Sequence, residues 1–216
     1  RFTVGSNTEL AAYLAAWVQV YGGAEKLTVM AGDYVSTTAD ALGQPTYRYT
    51  GTGIPNGNQR ITADLYSTDN YGDTIRPYLC SRCDASANRY GAAMGFGEGL
   101  ALVKVTANGA TETELATSAD TIVSATWYTS SFTTTGTTTT ALSLVVGIFA
   151  ALTYNDSSTP HQTGYPGLSA YTQDGPDLLR IDNVSIFNLS PVTTTLPGTE
   201  MGYGHLVFPL HGARGA

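Results

Sequence analysis

The segment from Thr163 to Leu189 constrains the fold more than any other part of this sequence. A Gly/Pro turn (Gly164 to Gly167) leads into a short strand, Leu168 to Tyr171, then an Asp/Gly/Pro loop, then a long strand broken by Asp182-Asn183. Leu179 and Ile181 lie two apart, as one face of a strand demands, whereas Val184 and Ile186 fall on the opposite parity. One extra residue at Asp182-Asn183, a β-bulge, returns all four to one face. Such a strand closes a sheet that is buried on one side, which predicts a β-sandwich.

The rest of the chain carries the same signature of short strands punctuated by turn residues. Ile61, Ala63 and Leu65 alternate with Arg60, Thr62, Asp64 and Tyr66, giving one apolar and one polar-aromatic face. Tyr78, Cys80 and Arg82 share the parity of the next strand, Asp84 to Asn88 forms a hairpin turn, and Arg89 to Gly95 returns. Leu100 to Thr106 then pairs through Asn108-Gly109, a strong hairpin dipeptide, with Thr111 to Ala116. The Thr-rich run from Thr126 to Thr140 is not a stalk: Trp127, Phe132 and the alternation from Leu142 to Ile148 make it a hairpin with threonine on its solvent face. Near the start, Asn7 to Leu14 reads as one short helix with a cap residue ahead of apolar positions.

With 216 residues and 42% hydrophobic content, the chain can bury one large core. Only 12% of residues are charged and the net charge is -7, which excludes an electrostatic footprint for nucleic acid or anionic lipid. The apolar run from Ala141 to Leu152 is shorter than the roughly 20 residues that a membrane helix needs, so no membrane anchor is expected. A surface of Thr, Ser, Asn, Gly and Tyr suits extracellular proteins, virion proteins and binders of neutral glycans. The chain opens on Arg1 without Met and lacks a signal-type apolar region, so either processing has removed its start or the visible chain is incomplete.

The ordered series Arg82, Asp84-Ala85-Ser86-Ala87-Asn88, Tyr90, Leu100 to Lys104, Asn108-Gly109, Trp127-Tyr128, Gly164 to Leu168 and Asp182-Asn183 resembles the concanavalin A-like lectin/glucanase domains, the laminin G-like jelly rolls. It looks most like versions found in phage virion and secreted bacterial proteins, and the resemblance spans about residues 2 to 189. It implies an all-β, two-sheet antiparallel jelly-roll β-sandwich, here with one short N-terminal helix. Residues 190 to 216 change character to Pro, Gly and Thr, with an apolar run at Leu206, Val207, Phe208 and Leu210 around Pro209. This segment is expected to be an extended C-terminal arm that docks on a neighbouring copy or another virion protein, separate from the jelly roll of residues 1 to 189.

Catalytic signals are weak. Glu112 and Glu114 share a strand face roughly 7 Å apart, and retaining hydrolysis needs carboxyl groups about 5 Å apart, so the geometry leaves that chemistry open. The third acid of the glycan-cleaving members is missing, and the pair follows an Asn-Gly hairpin, so a solvated sheet edge is the reading adopted. No Gly-x-Ser-x-Gly elbow exists either. Cys80 and Cys83 lack the second pair or spaced histidines of a zinc site, which leaves two thiols at a strand end or a local strained disulfide. No cofactor and no metal ligands are assigned. The resemblance implies that calcium can sit on the rim, and the loops Asp69 to Asp73 and Asp174 to Asp177 offer oxygen ligands suited to it, although Asx-rich turns are far commoner than calcium sites.

Carbohydrate binding rests on aromatic rings that stack on the apolar face of a sugar while polar side chains bond its hydroxyls. Asp64, Tyr66, Tyr78, Arg82 and Tyr90 make such a groove if they share one sheet; tyrosines packed in the core or at a subunit contact are the plainer alternative. The functional expectation is a non-enzymatic structural or decoration protein of a virion, forming homo-oligomers or contacting other virion proteins and host glycans. A secreted carbohydrate-binding module is the alternative, and a glycan-cleaving enzyme comes third.

Overall fold

The computed structural model describes residues 7–37, 44–51, 57–68, 75–172 and 178–189, together with the backbone of residues 205 and 206. Among them, two antiparallel sheets pack face to face as a jelly-roll sandwich. The first, here the Asp64 sheet, contains β1 (Thr8–Glu9), β3 (Leu27–Val29), β4 (Val35–Thr37), β6 (Gln59–Ser67), β11 (Thr126–Thr135), β12 (Thr140–Val146), β13 (Leu152–Asp156) and β15 (Leu179–Asn188). They run in the order β1-β3-β4-β15-β6-β11-β12-β13. The second, the Tyr78 sheet, contains β2 (Trp17–Tyr21), β5 (Thr46–Tyr49), β7 (Ile75–Cys83), β8 (Arg89–Gly95), β9 (Gly99–Thr106), β10 (Thr111–Ser118) and β14 (Tyr165–Thr172). Their order is β10-β9-β8-β7-β14-β5-β2.

Strict alternation builds the core. Ile61, Leu65, Phe132, Leu144 and Ile181 from one sheet meet Leu79, Met94, Leu102, Leu168 and Ala170 from the other, all essentially without solvent contact. The expected bulge in β15 is present. Asp182 faces Asp64 and Ser185 faces Thr62, so β15 carries one residue more than β6, and Asn183 takes the left-handed conformation at φ 52°. Leu179, Ile181, Val184 and Ile186 are consequently all buried.

The hairpins also form as expected. Asp84 Oδ1 accepts hydrogen bonds from the Ser86 and Asn88 amides, an Asx arrangement that closes the β7–β8 turn. Asn108 and Gly109 sit at φ 58° and 88° in the β9–β10 turn. The threonine-rich run forms the β11–β12 hairpin, paired from Ser130–Val146 to Thr135–Ala141. The N-terminal helix is shorter than Asn7 to Leu14: α1 spans only Leu10–Tyr13, and Asn7 Oδ1 accepts from the Ala31 amide instead of capping it. Burial of Leu10 holds this single turn in place.

One end of the sandwich is closed by polar side chains. Tyr90 donates to Asp156 Oδ2 at 2.6 Å, Lys104 donates to the same oxygen at 2.7 Å, and the His161 amide donates to the Tyr90 hydroxyl at 3.0 Å. Arg82 sits beside them and donates to Thr140 Oγ1, the His161 carbonyl and the Gly136 carbonyl. Burying such groups is tolerable because Lys104 and Asp156 pair with each other and the Arg82 terminal nitrogens donate to three neutral oxygens.

The backbone of His205–Leu206 forms a short strand, β16, that pairs with β15 opposite Phe187 and Ile186. Val207, Phe208, Leu210 and the rest of the C-terminal segment lie outside the described residues, as do both oxygen-rich loops, Asp69 to Asp73 and Asp174 to Asp177. No described helix is long and apolar enough to cross a membrane.

Two outcomes are expected. Deleting Asn183 removes the extra residue and turns Val184 and Ile186 to solvent, so the strand signal in circular dichroism should be lost; Asn183→Val keeps the parity but costs about 1–2 kcal/mol for a left-handed branched residue, read from urea unfolding. Burial lowers the pKa of His161 below the usual 6.5. Burial opposes ionisation of Asp156, yet hydrogen bonds from Lys104 and Tyr90 outweigh it and hold its pKa below 3.8. Both shifts are depressions, so their stabilisation is complete above the unfolded values and lost as pH falls through the folded ones. The thermal midpoint should therefore drop as pH falls below 6.5, with a further loss below 3.8, and His161→Gln should flatten only the first step.

Candidate functional site

The structure divides the five residues expected to form one groove among three places. Asp64 and Tyr66 project from β6 on the outer face of the Asp64 sheet. Tyr78 projects from β7 on the outer face of the other sheet, where it packs with Cys80, Ala93 and Val103. Tyr90 and Arg82 point inward, into the polar closure described above. Tyr78 faces Ala93 across the ladder and Tyr90 faces Ser81, so the hairpin register alone sets the two tyrosines on opposite faces. Arg82 leaves the parity of Tyr78 and Cys80 because its own backbone is left-handed, at φ 54°. The shared groove is therefore replaced by a surface around Asp64 and Tyr66.

On that surface four side chains form a row, three of them on neighbouring strands and the fourth, Tyr34, in the bend ahead of β4. Trp127 of β11 and Arg180 of β15 are the direct cross-strand neighbours of Tyr66. Trp127 lies 5.2 Å from Tyr66 between ring centroids, and the Arg180 guanidinium lies 4.8 Å from the Tyr66 ring and 4.7 Å from that of Tyr34. The steps from Trp127 to Tyr66 and from Tyr66 to Arg180 are close to the strand spacing of about 4.8 Å and follow from the ladder register, and the bend ahead of β4 adds Tyr34. Cation–π and aromatic contacts hold it rigid. Trp127, 37% exposed, is its open end.

A polar row runs beside it. Asp64 accepts from Thr129 Oγ1 at 2.7 Å through one oxygen and from Asn183 Nδ2 at 2.6 Å through the other. The bulge that sets the core parity thus also delivers Asn183 to Asp64. Asp182 faces Asp64 directly. Burial first, then the nearby Asp64 and Asp33 carboxylates, raise its pKa, against a hydrogen bond from the Asn183 amide that lowers it. Trp127 and Asn183 figure in the sequence only as fold signals, and Arg180 and Tyr34 not at all; none of the four was among the candidate binding residues. Finding them requires the register of β6 against β11 and β15, which a single strand's alternation does not contain.

The outer face of the Tyr78 sheet carries the acidic residues. Glu112 and Glu114 do share a strand face, on the edge strand β10 as expected, and both lie beside Arg76, at 3.9 and 3.5 Å. Arg76 Nε donates to Glu98 at 2.6 Å, and Glu112 accepts from Tyr78 and Gln44. Glu112 is thus more firmly tied than a solvated edge residue. A cleft of about 600 Å³ opens beside Glu98 and Glu114, lined also by Thr117, Ser118 and Asp120. The two cysteines are free thiols, both buried. Among the described residues, no cluster of His, Cys, Asp and Glu could hold a metal ion.

No family model and no curated protein matches the sequence. Solved structures do match the fold. The chain is similar to the carbohydrate binding module CBM66 from Bacillus subtilis, with a TM-score of 0.54 and 17% identity over 79% of this chain and 94% of that one. It is also similar to the metal-free form of the Emp46p carbohydrate recognition domain, with a TM-score of 0.50 and 11% identity over 81% and 91%. At these identities the likeness establishes architecture alone: the chain has a lectin-like jelly-roll fold.

Proposed function

We propose that the protein binds a neutral glycan, without cutting it, on the outer face of the Asp64 sheet. The observation that carries this reading is the rigid row of Trp127, Tyr66, Arg180 and Tyr34 with the Asp64–Asn183–Thr129 row beside it. Rings offer stacking surface for the apolar faces of consecutive sugars, and the polar row offers acceptors and donors for their hydroxyls. Because cross-strand contacts already fix these side chains, binding orders little that is not ordered beforehand. Arg180 stands against Asp64, Asp182 and Asp33, a balance that disfavours sulfated or uronic chains and leaves neutral ones. The carbohydrate-binding names of the two similar structures support the same class.

A second reading concerns assembly. The pairing of His205–Leu206 with β15 occupies an edge that β4, which meets β15 only at Ile181, does not cover. An arm from a neighbouring copy fits the same edge, and residues 190–216 would then serve a homo-oligomer or a virion lattice, in keeping with a virion or extracellular setting. Removing residues 190–216 should leave the strand signal intact and lower the oligomer mass in ultracentrifugation. Unfolding on deletion would show that the segment belongs to the core of its own copy.

For the glycan reading, an array of neutral oligosaccharides should give hits. Trp127→Ala should weaken any hit at least about tenfold, the scale of a lost aromatic anchor. Tyr78→Phe, on the opposite sheet, should leave it unchanged. An array without hits, or a hit indifferent to Trp127→Ala, would overturn this assignment.

A further inference from the structure

Cys80 and Cys83 are three residues apart on β7, a separation that in a regular strand spans about 10 Å and points the two side chains to opposite faces. The strand is not regular there. Gly167 of β14 pairs with Cys80 and Tyr165 pairs with Cys83, so three steps on β7 match two on β14. Left-handed Arg82 absorbs the extra residue. Both cysteines consequently enter the same outer cluster with Tyr78 and Val103. Gly167 makes the room: a Cβ there would lie 3.0 Å from Cys83 Sγ and 3.4 Å from Cys80 Cβ.

We propose that Cys80 and Cys83 are an oxidisable dithiol that a peroxide closes to an intramolecular disulfide across the β7 bulge. The two sulfurs have different roles. Burial raises the Cys83 thiol well above its ordinary range, with the neighbouring Cys80 adding to the effect. At Cys80 burial acts in the same direction, but the hydrogen bond from Cys83 and the Arg89 guanidinium outweigh it and lower the pKa. Cys80 is therefore the attacking thiolate. Its sulfur takes one peroxide oxygen, the O–O bond breaks, and the departing hydroxide leaves as water with a proton from the site. Cys83 sulfur then displaces the hydroxyl of the Cys80 sulfenic acid as a second water and forms the S–S bond. Two thiols lose two hydrogens, and one peroxide becomes two waters.

Full burial of both thiols selects a small oxidant over a bulky disulfide. The ring closed is so short that little chain entropy is removed, so this bond reports oxidation rather than holding the fold. The inference is independent of the glycan reading.

The test is hydrogen peroxide in native buffer, followed by unfolding, alkylation and intact mass. Untreated chain should take one alkyl group on each of its two cysteines, and treated chain should take none and weigh two hydrogens less. In Cys83→Ser, Cys80 should stop at the sulfenic acid and be captured by dimedone. The proposal is overturned if both thiols stay alkylatable, if oxygen adds without an S–S bond, or if the strand signal is lost before the disulfide appears.

Discussion

Left-handed Asn183 is the constraint on which the rest of the Asp64 sheet depends. β15 lies between β4 and β6, so its register is felt on both sides. With period-two side chains, a strand of this length keeps one apolar face only if its sequence is in phase throughout, and this sequence changes phase at Asp182. The bulge absorbs the change at the modest cost of one left-handed residue, and asparagine is a side chain that tolerates it. Its amide then reaches Asp64 Oδ2 at 2.6 Å, so the group that repairs the core also organises the outer surface.

A second bulge does the equivalent for the Tyr78 sheet. Ser81 keeps the inward parity of Leu79 and reaches Gln59 and Thr134 of the opposite sheet, while left-handed Arg82 turns its own guanidinium to three acceptors and Cys80 and Cys83 stay together outside. Both departures from regular strand occur in the middle or end of a long strand, beside polar side chains. Bulges re-aim side chains without breaking the sheet, and here each sets a polar cluster against a continuous core.

Much of the fold was legible because it rests on local signals. The phase break at Asp182-Asn183, the Asp84 and Asn108-Gly109 turns and the face alternation of β6 all appear in the structure as expected. The site was less legible because membership of a surface depends on which strands are neighbours. Tyr66 and Tyr78 have similar surroundings in sequence, yet they belong to different sheets. Tyr90 follows Tyr78 across a recognisable hairpin, but one residue of register decides between solvent and core, and turn composition alone does not fix it. Arg82 was misplaced for a different reason: nothing in the identity of an arginine announces left-handed backbone.

These differences reflect the separate duties of the inner and outer faces of a sandwich. Side chains that face inward at a sheet end, such as Tyr90 and Lys104, are committed to closing the sandwich by their hydrogen bonds to Asp156. Those on the outer face of β6 and β15, such as Asp64 and Tyr66, bond across the sheet to Thr129, Asn183 and Arg180 instead. The Arg180 charge and the Asp64–Asp182 pair also keep this face from attracting another sheet. The row of Trp127, Tyr66, Arg180 and Tyr34 therefore lies where the core asks least of the sequence.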